Sequence, residues 1–176
     1  MADNERGDVL ASAAAGDEFA FRRIVAEHHE DMRRVCLAVF RDHALAEEAT
    51  QAAWLVAWKK LDRVHGPEQL RPWLVSVAVN EAKGLMRKRR RRAEIEVTTD
   101  GAHEPGGGDP ASHVSSVDLR AAMARLGPDD RSLLAMRYVA GFDSNELSAA
   151  TGISPSGTRS RIERLLKRLR EDLADA

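Results

Sequence analysis

Residues 94–116 divide the chain. The segment EIEVTTDGAHEPGGGDPASHVSS holds four glycines, two prolines and five acids, with no lysine or arginine. So polar a stretch cannot bury enough apolar surface to offset the entropy of ordering it, and a flexible linker is expected there. Any core must therefore form on either side, in two blocks of modest size. Ala, Leu, Arg and Glu dominate both blocks, and aromatic residues make up only 5% of the 176. That composition favours helices, and an all-α fold of two small domains is expected.

In the first block, Phe21, Ile24, Val25 and His28, then Met32, Val35, Cys36, Val39 and Phe40, recur at i, i+3, i+4, i+7, the spacing of an amphipathic helix. Residues 45–60 form another, with Leu45, Ala49, Ala52, Leu55 or Val56 and one or both tryptophans facing inward. His65-Gly66-Pro67 breaks the pattern, and a longer helix runs from Arg71 to about Arg92 through Trp73, Leu74, Val77, Ala78, Leu85 and Met86. The second block opens with a helix on Leu119, Ala122, Met123 and Leu126. Pro128 suits the first position of the next, which carries Leu133, Leu134, Arg137 and Tyr138 and closes near Gly141. Asp143, with Glu146 three residues on, caps a short helix; Thr151-Gly152-Ile153 turns; Ser154-Pro155 starts a long one. Residues 1–15 are expected as an N-terminal tail.

The formal net charge is only −1, so the placement of charge has to reveal any nucleic-acid partner. Two places do. A short helix, a glycine turn and a second helix with six basic residues and one acid between Ser154 and Arg170 make a helix-turn-helix, whose second helix suits the major groove. Ser156 would let the backbone approach, and Arg159 or Arg164 could present two donors to a guanine edge. Thr158, Ser160, Arg161 and Lys167 could hold phosphates. The second place is Lys83 to Arg92, KGLMRKRRRR, with seven basic residues in ten. With Arg71, Trp73 and Asn80 upstream and Arg87 and Lys88 within, it mixes aromatic, amide and basic groups in the manner of a single-strand binding surface. The helix around Glu47, Glu48, Gln51 and Trp54 is a candidate protein-binding face, whereas Trp58 is expected in the core.

Catalytic chemistry is not expected. His28-His29-Glu30 lacks the i, i+4 pairing of a metal site, and a partly exposed helix surface is expected there. Neither a phosphate-cradling loop nor a nucleophile with its base occurs, so no cofactor is expected. Cys36 is the lone cysteine, no apolar run approaches the ~20 residues that span a bilayer, and the N-terminus carries Asp3, Glu5 and Asp8. A cytoplasmic protein is expected.

Ala46-Glu47-Glu48-Ala49-Thr50-Gln51 through Trp54-Leu55-Val56-Ala57-Trp58, Arg71-Pro72-Trp73-Leu74 with Asn80 and the basic tract, and Gly152-Ile153-Ser154 to Arg164 occur in that order. Together they resemble the extracytoplasmic-function sigma factors of the sigma-70 family. The resemblance implies domain two over 16–93, a linker over 94–116 and domain four over 117–176. It also implies that Glu47, Glu48 and Gln51 dock on the β′ clamp helices of core RNA polymerase. The Arg71 to Arg92 segment would hold the minus-10 strand, Arg159, Ser160, Glu163 and Arg164 would face minus-35 bases, and an anti-sigma partner is implied. Val79 before Asn80, Gly84, Pro155-Ser156-Gly157-Thr158 and Glu163 depart from the usual family pattern. A stand-alone helix-turn-helix regulator, which binds duplex operators without polymerase, is the other class of function; an RNA-binding protein using the basic tract is a third.

Overall fold

Asp17 and Asp42 each sit in extended backbone and accept hydrogen bonds from the first free N–H groups of the helix that follows, so both helix starts are written in the side chains. The computed structural model describes residues 2–97 and 114–174, which fold into eight α-helices: α1 (Ala2–Ala14), α2 (Glu18–Phe40), α3 (His43–Lys60), α4 (Pro67–Val97), α5 (Val114–Arg125), α6 (Pro128–Tyr138), α7 (Ser144–Thr151) and α8 (Pro155–Ala174). A short 3₁₀ turn, Leu61–Arg63, precedes α4.

Helix α2 buries Ile24, His28, Met32, Val35, Cys36 and Val39, each large apolar member contributing ~1.5–3 kcal/mol. Two residues separate it from α3. Arg41 makes the bend in left-handed backbone (φ 55°), its N–H donating to Leu37 O, at a cost of ~1–2 kcal/mol for a residue with a Cβ. Helix α3 buries a stripe of small residues, Ala46, Ala49, Ala53 and Ala57, fully enclosed against α2 and α4. That stripe completes the expected inward set: Leu45 and Ala49 are buried, Ala52 and Val56 are half-buried, and of the alternatives Leu55 and Val56 it is Leu55 that faces out, 69% exposed. Small side chains let the backbones approach closely and leave the larger ones at the margins.

The first fourteen residues, expected as part of a tail, include helix α1. Leu10 and Ala13 are buried in the core, and ion pairs Arg6–Glu27 (3.3 Å) and Arg23–Glu5 (2.9 Å) fasten α1 to α2. Its apolar face is short and alanine-rich, which gave little periodic signal. Helix α4 also exceeds its expected bounds at both ends. Pro67 serves as a first residue, and at the far end Arg90 Nε donates to Glu94 Oε1 (2.9 Å), an i, i+4 pair that carries the helix to Val97. Residues 98–113 of the expected linker lie outside the described residues.

In the second block, α6 starts on Pro128, Gly141 (φ 72°) makes the turn after α6, and Phe142 is fully buried. Asp143 and Glu146 form the expected capping box on α7, and Gly152 (φ 72°) ends that helix in left-handed backbone. Helix α8 turns Thr158, Ile162, Leu165 and Leu169 inward. The blocks touch: α6 lies against α2, and α7 against α4. Buried residues of both join in one apolar cluster.

Burial lowers the proton affinity of His28, and this has a measurable consequence. Desolvation is the first cause; Glu27 and Asp31 oppose it, and Arg71 and Arg6 add to it. The unfolded chain then binds a proton that the folded one refuses, so stability is full above pH ~6.5 and falls as pH drops below it. Denaturant unfolding at stepped pH between about 7.5 and 5.5 should show that decline, and His28→Gln should flatten it; identical slopes in both proteins would refute the assignment. Position 28 falls on the inward stripe of α2, as its spacing predicts, and the partly exposed surface expected for the run begins at His29, half-buried, and Glu30, exposed.

Candidate nucleic-acid interface

Gly152 sets the angle between α7 and α8, and Ser154 starts the second helix by accepting from Gly157 N–H at 3.2 Å. A Cβ at Gly157 would meet Ile153 Cγ2 at 2.9 Å and Ser154 Oγ at 3.0 Å, so glycine lets the first turn of α8 close on its own cap. From there, Ser156, Arg159, Ser160, Glu163, Arg164 and Lys167 all face outward. They form one polar, mostly basic face opposite the apolar stripe.

Two expected members of that face stand elsewhere. Thr158 is fully buried and its hydroxyl donates to Pro155 O at 2.8 Å, so it closes the helix start and cannot reach a phosphate. Arg161 is half-buried and pairs with Asp130 of α6 at 2.7 Å, which fixes the tilt of α8. Both residues lie within one turn of the apolar seam, whose phase a count of basic residues does not reveal.

The other candidates line the 31-residue helix α4. Trp73, Asn80 and Arg87 recur every seven residues and so share a face. Trp73 is half-buried against the core, while Asn80, Arg87 and Lys88 are exposed. Arg71 and Lys83 are engaged: Arg71 Nε donates to Asp31 Oδ2 at 2.7 Å, and Lys83 Nζ lies 2.6 Å from Asp129 Oδ1. That ammonium holds the Asp129 carboxyl below the usual carboxylate range.

On α3, Glu48 and Gln51 are exposed and Glu47, half-buried, accepts from Gln51 Nε2 at 3.0 Å. Trp54, expected as a contact residue, also packs within the first block. It is half-buried, its ring edge-on to Phe21, and its indole N–H donates to His29 Nδ1 at 3.1 Å. Trp58, expected in the core, is instead 42% exposed beside Phe21. With Leu55 it continues the Glu48–Gln51 line at i+7 and i+10, a periodicity that a search for acids and amides passes over. Arg89 was likewise missed as a tie: it bridges Asp42 (2.9 Å) and Glu48 (2.8 Å), joining the basic end of α4 to the acidic face of α3.

Among the described residues no cluster of His, Cys, Asp or Glu could hold a metal ion, and no helix is long and apolar enough to cross a membrane. Family models match in two places: Sigma-70 region 2 over residues 24–92, and Sigma-70, region 4 over residues 116–169. The chain belongs to the sigma-70 family. Region 2 followed by region 4 is the layout that the resemblance to its extracytoplasmic-function branch implied, and the chain is a member of that branch. It is 31% identical over 173 residues to the probable RNA polymerase sigma factor RfaY of Xanthomonas campestris pv. campestris, covering 93% of this chain but 43% of that longer one. With the RNA polymerase sigma factor CarQ of Myxococcus xanthus it shares 29% identity over 164 residues, covering 91% of this chain and 92% of CarQ. The fold matches that of the sigma factor RpoE in its complex with the anti-sigma factor NepR from Bartonella quintana, with TM-score 0.66 at 23% identity over 88% of this chain and 96% of that one. In this sigma-70 chain, region 2 therefore comprises α2, α3 and most of α4, and region 4 lies on α5 to α8.

Proposed function

We propose that this chain is a cytoplasmic transcription initiation factor that joins core RNA polymerase through Glu47, Glu48 and Gln51, with Leu55 and Trp58 extending the contact. It reads the minus-35 duplex with Ser156, Arg159, Ser160, Glu163, Arg164 and Lys167 of α8. The melted minus-10 strand lies along α4 against Trp73, Asn80, Arg87 and Lys88, joined by Arg71 and Lys83. The observation that carries this is the outward basic face of α8, held off a capped α7 by Gly152, in the same chain as an exposed basic end on α4. One surface suits a duplex groove and the other a separated strand. Bases captured along α4 would offset the few kcal/mol lost when the duplex unstacks. The protein contributes binding and orientation, and the polymerase performs the chemistry. By analogy with the RpoE relative, an anti-sigma factor is a further partner.

Purified chain, core polymerase and a promoter library should yield transcripts from specific start sites that vanish when the chain is omitted. Reversing Glu47 and Glu48 to lysine should abolish core binding with the fold intact. A stand-alone operator-binding regulator would bind duplex without giving such transcripts, and that result would overturn the proposal.

A further inference from the structure

One acid stands on the outward face of α8. At ~100° per residue, Ser156, Ser160, Glu163 and Lys167 fall within about 60° of one another, opposite the buried stripe of that helix, with Arg159 and Arg164 on either flank. Glu163 is therefore exposed near the middle of the face that suits the groove, with cations around it, yet none of them takes its carboxylate. Arg164 Nε donates back to Ser160 O at 3.3 Å, and Lys167 Nζ lies 3.8 Å from Glu171 Oε1. Among the described residues Glu163 has neither a hydrogen bond nor an ion pair. A negative charge left unpaired in the centre of a basic face must either oppose nucleic acid or meet a donor on it.

We propose that Glu163 is a specificity-determining residue that selects cytosine in the minus-35 duplex. That role rests on the placement of α8 proposed above and adds the base it meets. A carboxylate has lone pairs and no proton to give, so phosphate oxygens, which accept and carry the same charge, repel it. In the major groove guanine N7 and O6 and thymine O4 also only accept; cytosine N4 and adenine N6 are the donors. Adenine sets the N7 lone pair beside N6, where it opposes the second carboxylate oxygen, whereas cytosine has a C–H beside N4. Cytosine is therefore the base that satisfies Glu163 with no lone pair set against it. Arg159 lies one turn earlier on the helix, ~6 Å along its axis, so its guanine and this cytosine fall within about two base-pair steps of ~3.4 Å. The same charge discriminates by exclusion, because a duplex that offers it no donor leaves it facing only acceptors.

The test measures competition among duplexes selected for binding from a random pool, with all four bases placed in turn at each position. It is run with the full chain on core polymerase and with the full chain alone. The unaltered chain should prefer cytosine roughly 5- to 150-fold at one position within about two pairs of the Arg159 guanine. Glu163→Gln replaces one carboxylate oxygen with an amide nitrogen, and a side chain that both donates and accepts fits adenine N7 and N6. The preference at that position alone should then pass from cytosine to adenine, and Glu163→Ala should flatten it. Both replacements sit on an exposed helix surface and are good helix formers, so both variants should melt as the unaltered chain does. A purely structural role for Glu163 would lower affinity evenly and leave every base preference in place, and that result would overturn the proposal. So would any base other than cytosine favoured by the unaltered chain at the position that responds. Absence of transcripts with duplex binding retained defeats the initiation reading instead, and the base exchange measured with the chain alone still decides the role of Glu163. If neither form binds duplex, both fall.

Discussion

Replacing Phe142 with alanine is expected to unfold the second block at physiological temperature. The ring is fully buried in the connection between α6 and α7, its backbone N–H donates to Met136 O at 3.0 Å, and its carbonyl accepts from Arg137 Nη1 at 2.8 Å. It therefore anchors the corner that aims α7, and through α7 the helix behind it. Truncating a buried phenylalanine costs about 3–5 kcal/mol, comparable with the whole stability of so small a unit. For a domain of this size that is a fall of more than about 10 °C in Tm. Thermal melting followed by circular dichroism measures it, with Phe142→Leu as the milder comparison. A drop of less than about 3 °C would show that the corner is held by something other than this ring.

The second large effect concerns Arg159. Its guanidinium is exposed and makes no ion pair with the described residues, so it is free to meet a guanine edge with two parallel donors. Arg159→Ala should cost ~1–3 kcal/mol of discrimination, or roughly 5- to 150-fold between the preferred minus-35 element and a single-base variant. Asn80→Ala should leave that ratio alone and slow promoter opening. Competition binding to minus-35 duplexes and permanganate footprinting of the opened strand separate the two, and matching profiles in both variants would reject the division of labour between α8 and α4.

How much of this was legible in the residues differs by element. The capping box at Asp143 and Glu146, the Gly152 turn and the Pro128 start rely on local chemistry, which is printed in a few adjacent residues, and all three formed as expected. The second half of α2 carries large apolar residues at regular spacing, and its face followed. Helix α3 was harder because its buried stripe is alanine, so hydrophobicity alone left Leu55 and Val56 as alternatives for the inward face and turned Trp58 inward. Thr158 shows the same limit at one residue: a hydroxyl beside arginines resembles a phosphate ligand, but only the phase of α8 against α6 decides that it faces the core. Arg71 and Lys83 looked like free cations because their partners lie far away in sequence: Asp31 on α2 for Arg71 and, across the divide, Glu146 for Arg71 and Asp129 for Lys83. Contacts between blocks leave no periodic trace, whereas those within a helix do.

Helix α4 has one more implication. Thirty-one residues in an unbroken helix make a rod about 46 Å long, seated at its front by Arg71 and braced toward its tip by Arg89. Tilting such a rod by about ten degrees about its front would sweep the tip by about 8 Å, more than twice the ~3.4 Å step between phosphates on one strand. With the minus-10 strand along α4 as proposed, a shift at the Pro67 end would be magnified along the rod to about two nucleotides at its tip.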